Sequence, residues 1–503
     1  MAPGLLAALL LTACGGGGGC GNCDTDPGGA YPTPDPDITS LPPSSTYANR
    51  CTSPNQRDEK SFVLSYLNEN YLWYPEMVPP PADLANTYAV DQYFYSLLSH
   101  NAPIAQIPTY ADHPADSDYI DDGARYNIDD PSYRYVDIRF SYVLSTNIAN
   151  SLDTGYSAGG YGFYWVIDRD GKKRITYVKP GSQADVVGRM TRGGEIISSG
   201  EYDNPNLYPY TATGMYPYAK DGIRTTTFTY RDVPNGPTRT ITLNAAMFQE
   251  EPVPITKVIP WGGRNVGYLL FLNHSSIAQD KLITAITNLR GVNDLVLDLR
   301  YNDGGFIYAA QSLASMIAGP GMDGRTFERQ AYNGKVADAS LPFTTKVTWK
   351  PVDTAIPPGY YNNNNNIQYD IGAALPALNL KRVYVLTSDI TASASEALIN
   401  ALRGVDVNVV LIGTKTRGQP YGANRRDNCN TAYYAIAYQG FNDKNASDYV
   451  NGFAPTCLVH DDFNRVTGDT TINNPLGNQR EALLYSALEH IRTGQCTATA
   501  SQN

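Results

Sequence analysis

Apolar side chains recur at helical spacing from Asp58 to Tyr74, where Phe62, Val63, Tyr66, Leu67 and Tyr71 share a face and Pro75 ends the pattern. A second helix is predicted from Val90 to Leu98. Between Pro103 and Tyr133 the period disappears among Asp, Pro and Tyr, which predicts a solvated loop; the Asp-x-Asp spacing with glycine that calcium needs is missing. From Gly159 to about Phe248 the pattern is one of short strands, among them Arg174 to Val178, Thr225 to Tyr230 and Arg239 to Leu243. The character changes at Val266. Near-continuous apolar strands (Val266 to Leu272, Asp294 to Arg300, Arg382 to Thr387, Val407 to Ile412) alternate with helices predicted at Ile277 to Arg290, Ala309 to Ile317 and Ser393 to Arg403. Strands apolar on both faces belong in a parallel sheet covered by helices, which places a ligand site at the strands' C-terminal ends. The chain therefore reads as an α/β multidomain protein, with the asparagine run at Asn362 to Asn366 as a surface loop.

The first residues carry a different signal. Leu5 to Leu11 is too short to cross a bilayer, which takes about 20 residues, but it suits the core of a signal peptide. Leu11-Thr12-Ala13-Cys14 has the form of a bacterial lipobox, although Met1-Ala2-Pro3-Gly4 lacks the usual basic start. Residues 1–14 are thus expected to be a lipoprotein signal, with Cys14 the lipidated residue, and residues 15–50 a flexible tether. That predicts a lipid-anchored protein of the bacterial cell envelope. Six cysteines then remain, an even number that suits disulfides in an exported chain. Cys429 and Cys457 flank one strand-rich segment and are the expected pair; Cys20, Cys23, Cys51 and Cys496 stay unassigned. Cys20-x-x-Cys23 has no second pair at metal spacing, so no metal is expected. A net charge of −11 without clustered Lys and Arg excludes nucleic acid as a partner.

Three segments hold the candidate chemistry. Leu297-Asp298-Leu299-Arg300-Tyr301-Asn302-Asp303-Gly304-Gly305 ends a buried strand in paired glycines, whose backbone N–H groups can face a ligand or merely form a tight turn. Thr391-Ala392-Ser393-Ala394-Ser395-Glu396 puts a serine at a helix start, where free amides favour negative charge; Ser393 and Glu396 also have the spacing of a capping box. Gly413-Thr414-Lys415-Thr416-Arg417-Gly418 forms a later turn.

In this order the three resemble the tail-specific, or C-terminal processing, serine peptidases, and the likeness covers roughly residues 159 to 460. After the N-terminal helical region and acidic loop (51–158), the resemblance implies a PDZ-like β-domain (159–250) and an α/β, ClpP/crotonase-like peptidase core (251–495). It implies polypeptide substrates and no cofactor. Ser393 would be the nucleophile and Ser395 structural, with the Ala394 amide and that of Gly304 or Gly305 as oxyanion donors. Tyr161, Gly162 and Phe163 would form the loop that holds a peptide's C-terminal carboxylate.

One position departs. The family has a lysine base after the Thr-x-Gly turn, and this chain has Gln419, whose amide cannot take a proton near neutral pH; Ala423 replaces the supporting glutamine. The base is left open between Lys415, His274 at the end of Tyr268-Leu269-Leu270-Phe271, and none at all, which would leave a peptide-binding lipoprotein. Asp298 and Arg300 are expected to form buried structural ion pairs with neighbouring elements, and His460 has no role.

Overall fold

The computed structural model describes residues 41–77, 87–98, 140–146, 149–150, 156–168, 171–199, 225–233, 235–349, 369–462 and 474–497. Cys14 and its signal, Cys20 and Cys23 of the tether, the acidic stretch 103–133 and the asparagine run lie outside these residues. Residues 38–503 form one compact unit.

The apolar strands assemble as their burial requires. A six-stranded sheet runs in the order Cys457–Leu458, Asn408–Gly413, Arg382–Thr387, Asp294–Asp298, Arg264–Leu270, Ile255–Trp261. All neighbours are parallel except the last pair. Side chains alternate between two cores, as the twofold repeat of a strand dictates. Leu269, Leu295, Leu297, Val383 and Val385 pack under the helices Ala278–Asn288, Ile307–Ala318 and Ala394–Gly404. Tyr268, Leu270, Val296, Tyr384 and Leu386 pack under a helix at Ala482–Thr493.

A five-stranded antiparallel sheet, from Phe163–Ile167 to Thr238–Asn244, has its own core of Tyr161, Phe163, Trp165, Ile175, Phe228 and Tyr230. The helices Arg57–Asn70 and Val90–Leu98 instead bury Phe62, Leu67 and Phe94 against Tyr433 and Ile436, residues from far along the chain. Trp73 and Phe140 set their rings edge-on or tilted against Tyr421, at 5.0 and 5.5 Å, two residues after Gln419. Among the described residues no helix is long and apolar enough to cross a membrane.

The cysteine pairing differs from expectation. Cys51 bonds Cys429 and Cys457 bonds Cys496, with Cα–Cα separations of 5.3 and 5.5 Å. Cys429 sits in the turn between the strands Arg426–Asn428 and Thr431–Tyr434, whereas Cys457 opens an edge strand of the six-stranded sheet. Closeness in sequence misled here, because the strands between them belong to other sheets.

A four-stranded antiparallel sheet completes the core, and its strand Thr326–Tyr332 buries Glu328. The carboxyl packs on Gly440, where a Cβ would stand 2.5 Å from Oε2, and Gln330 donates to Oε1 at 3.1 Å. Burial pushes Glu328 up to about 7. A carboxyl raised in the fold contributes stability that is present below pH 4.5 and lost as pH rises through 7. Glu328→Gln should therefore match the wild type near pH 4.5 and exceed it by about 3 kcal/mol at pH 8. Urea unfolding at the two pH values checks this; equal pH slopes would contradict it.

Candidate active site

The end of the strand Asp294–Asp298 is laced to the turn before the helix Ala394–Gly404. Leu299 N–H donates to Leu386 O at 3.0 Å, the Thr391 hydroxyl to Leu299 O at 2.8 Å, and the Ser388 hydroxyl to Arg300 O. Asn302 O accepts from Ala392 N–H at 3.2 Å and from the fully buried Ser395 hydroxyl at 3.1 Å. These bonds hold Ser393 against the glycine pair. Gly304 has φ +108°, and a Cβ there would stand 2.8 Å from Ser393 Cβ and 3.1 Å from Ala394 N. Gly305 has φ +128°, and a Cβ there would stand 2.7 Å from His274 O. Only glycine fits these two contacts.

Ser393 itself is half-buried, with φ +53° and ψ −118°. Such strain in a non-glycine residue gathers at functional sites. Ser393 and Glu396 form the capping box that their spacing predicts, with Ser393 N–H donating to Glu396 Oε2 at 3.2 Å.

The glycine amides are not equivalent. Gly304 N–H donates to Asn302 Oδ1 at 3.0 Å. Among the described residues the amides of Gly305 and Ala394 have no acceptor. Of the two glycines, Gly305 is thus the one free to bind a ligand oxygen.

His274 is fully buried on the other side of the pair. Its N–H donates to Gly304 O at 3.0 Å and its carbonyl accepts from Phe306 N–H at 2.8 Å. The ring lies 4.4 Å from that of Phe271. Nδ1 meets Asn302 Oδ1 at 2.9 Å, while Nε2 is buried with no partner. Burial pushes the imidazole down to about 4, against hydrogen bonds that it donates to Asn302 and Gly304, so it is neutral at pH 7.

The third segment is bound by one buried carboxylate. Glu396 accepts from the Thr416 hydroxyl at 2.5 Å, Gly418 N–H at 2.8 Å and Gln419 N–H at 2.7 Å. Burial nevertheless raises its carboxyl above the ordinary value. Gln419 is brought beside the Ser393 turn by this anchor, with its side chain half-buried. Lys415 is exposed, as is His460. The wider role of Glu396 and any role for Asn302 were missed in sequence. The only local signal for Glu396 is the capping-box spacing, and Asn302 stands inside the Asp-Leu-Arg-x-Asn-x-Gly-Gly strand end.

Asp298 and Arg300 are fully buried; Arg300 pairs with Glu481 of a neighbouring element at 2.6 Å, as expected, and also with Asp298 itself at 2.8 Å. Tyr161 and Phe163 turn their side chains into the five-stranded domain's core, and the Tyr161 hydroxyl donates to Thr226 Oγ1 at 2.5 Å. Gly162 has φ +89°, and a Cβ there would overlap Ser182. Among the described residues the one grouping of metal-type ligands is Cys457, His490 and Cys496, and the disulfide leaves no thiolate there to bind an ion.

Residues 265–459 match the description of Peptidase family S41. A putative S41 protease from Bacteroides fragilis is 25% identical, covers 86% of this chain and 97% of its own, and has a TM-score of 0.56. The photosystem II D1 C-terminal processing protease is 19% identical over 69% of this chain and 89% of its own, with a TM-score of 0.37. No curated protein matches the chain significantly. With its Asp-Leu-Arg-x-Asn-x-Gly-Gly strand end laced to Thr-Ala-Ser-Ala-Ser-Glu, the α/β core of this chain matches peptidase family S41 over residues 265–459 and is similar to the tail-specific peptidases.

Proposed function

We propose that the chain is an exported serine-type endopeptidase that cleaves unfolded or C-terminally exposed polypeptides through Ser393. The observation that carries this reading is the strained Ser393 packed on Gly304, beside the acceptor-free amides of Gly305 and Ala394. Ser393 Oγ attacks the peptide carbonyl carbon, and its proton passes to a base. The carbonyl oxygen takes the negative charge between the Gly305 and Ala394 amides, each such donor being worth about 3 kcal/mol. The proton then goes to the leaving amine, and water hydrolyses the acyl-serine by the same route.

His274 is the base in this reading. Its Nε2 is bare and neutral at pH 7, and it flanks the glycine pair that Ser393 also touches. No hydrogen bond joins it to Ser393 without substrate, a looseness common before a substrate closes the site.

The five-stranded domain is read as the PDZ-like unit. Phe163–Ile167 is an outer strand of its sheet, the place where a peptide strand would add, and the loop 161–163, with its Tyr161 and Phe163 side chains in the core, would hold the peptide's carboxylate. Two disulfides favour an oxidising compartment, in keeping with a lipid anchor at Cys14.

A fluorophosphonate probe, located by mass spectrometry, tests the site. Labelling of Ser393 together with cleavage of an unfolded protein is the expected result; a folded chain that neither labels nor cleaves refutes it. The second reading is a silent peptide binder, favoured by Gln419 at the lysine position. If His274 serves as base, Gln419→Lys changes turnover by less than about tenfold. Cleavage that appears only in Gln419→Lys would establish the silent binder.

A further inference from the structure

We propose that Asn302 is the positioning residue of this site: one oxygen, Oδ1, fixes the tautomer of His274 and selects Gly305 rather than Gly304 as the free amide. The inference rests on the reading of His274 as base, and it follows from which atoms can only donate and which can only accept. Asn302 is fully buried. Its Nδ2 donates at 3.0 Å to Phe271 O, a carbonyl that can only accept. Gly304 N–H, which can only donate, meets Oδ1 at 3.0 Å. Both contacts agree on the orientation of the amide, so Oδ1 faces His274 and Nδ1 must carry the hydrogen in their 2.9 Å bond. Nε2 is then left bare, with a lone pair that has no partner, the form a general base needs.

The backbone of Asn302 extends the same control to the nucleophile. Its carbonyl holds Ala392 N–H and the Ser395 hydroxyl on either side of Ser393. One residue therefore ties together the base, the oxyanion turn and the serine turn, although Ser393 lies 91 positions further along the chain. A neutral amide in this place orients the imidazole without an adjacent negative charge. The groups that the structure shows against His274 include the Phe271 ring, Asn302 and the two glycines, none of them charged. An amide flipped the other way would present Nδ2 to His274 and force the wrong tautomer; the Phe271 carbonyl prevents that flip.

The test uses the full chain with ¹⁵N-labelled histidine, its His274 signals assigned by loss in His274→Gln. In the wild type, His274 should resolve one protonated and one bare ring nitrogen, the protonated one Nδ1. Asn302→Leu should lose that preference and lower kcat by about 10²- to 10⁴-fold with little change in KM. Asn302→Asp keeps an acceptor facing His274 but adds charge. It should retain the Nδ1–H tautomer and move the acid limb of the pH–kcat profile up by about one unit or more. An Nε2–H tautomer in the wild type overturns the inference, as does an acid limb unmoved in a cleaving Asn302→Asp. Should the wild type prove unable to cleave, the nitrogen signals still decide: Nδ1–H with bare Nε2 upholds the positioning by Asn302 while the base reading fails.

Discussion

Ser393→Ala is expected to reduce cleavage of an unfolded protein by about 10⁴-fold or more while the chain stays folded. The expectation separates two roles for the same atom. As a helix cap, the Ser393 side chain would contribute about 1 kcal/mol of stability, and its loss would leave the chemistry of the folded chain intact. As a nucleophile it forms the acyl bond, and nothing nearby can replace it. Ser395, two residues on, is fully buried with its hydroxyl on Asn302 O, so it cannot substitute. The backbone is not relieved either, since alanine at φ +53° is as strained as serine. Glu396 still binds the amides of residues 393, 418 and 419 in the variant, because those bonds are to backbone. Mass-spectrometric cleavage assays beside a urea unfolding curve read both quantities. Cleavage unchanged in Ser393→Ala would remove the proposed function altogether.

What the chain disclosed before its structure divides along a physical line. Where burial covers both faces of a strand, the apolar run is continuous, and Arg382–Thr387 was legible to the residue. The paired glycines were legible because only glycine allows the contacts with Ser393 and His274. Thr326–Tyr332 was not, since Glu328 and Gln330 point inward and break the apolar pattern of a strand. The helix Ala482–Thr493 escaped for another reason: its opening residue, Glu481, finds its partner Arg300 181 positions away. Likewise Cys51 and Cys429 are 378 positions apart, beyond any argument from spacing. Site chemistry was legible as residue types and not as roles. Asn302 stood in the motif, but the direction of its amide depends on a carbonyl, Phe271 O, 31 positions earlier.

Arg300→Leu is expected to destabilise the chain by about 3–5 kcal/mol, because it strands buried carboxylates. The guanidinium is completely buried and bridges two of them. Nε and Nη2 donate to Asp298 at 2.9 and 2.8 Å, and Nη1 and Nη2 donate to Glu481 at 2.6 and 2.8 Å. A third carboxylate, Asp461, lies 3.7 Å away and is also held by Arg192 and Tyr301. Burial pushes Glu481 up, and Arg300 outweighs it, so the carboxyl sits below its ordinary value. A lowered carboxyl contributes stability present above pH 4.5 and lost as pH falls. Without Arg300, burial and Asp461 push the carboxyl up against Arg192 and the cap amides alone, so the deficit of Arg300→Leu should shrink on acidification as Glu481 protonates. Arg300→Lys should fail as well, since an ammonium cannot make two bidentate pairs at once. Replacing the partners together, as Arg300→Leu with Asp298→Leu and Glu481→Leu, should recover much of the loss if the ions serve only stability. Urea unfolding of the three variants at pH 5 and pH 8 distinguishes these outcomes, and an Arg300→Leu chain as stable as wild type at pH 8 would contradict the argument. The site depends on this network through two short steps of chain: Arg300 O receives the Ser388 hydroxyl, and Asn302 follows two residues later. Any Arg300→Leu chain that remains folded should therefore cleave more slowly in proportion to the displacement of Asn302, a loss that appears in kcat before KM.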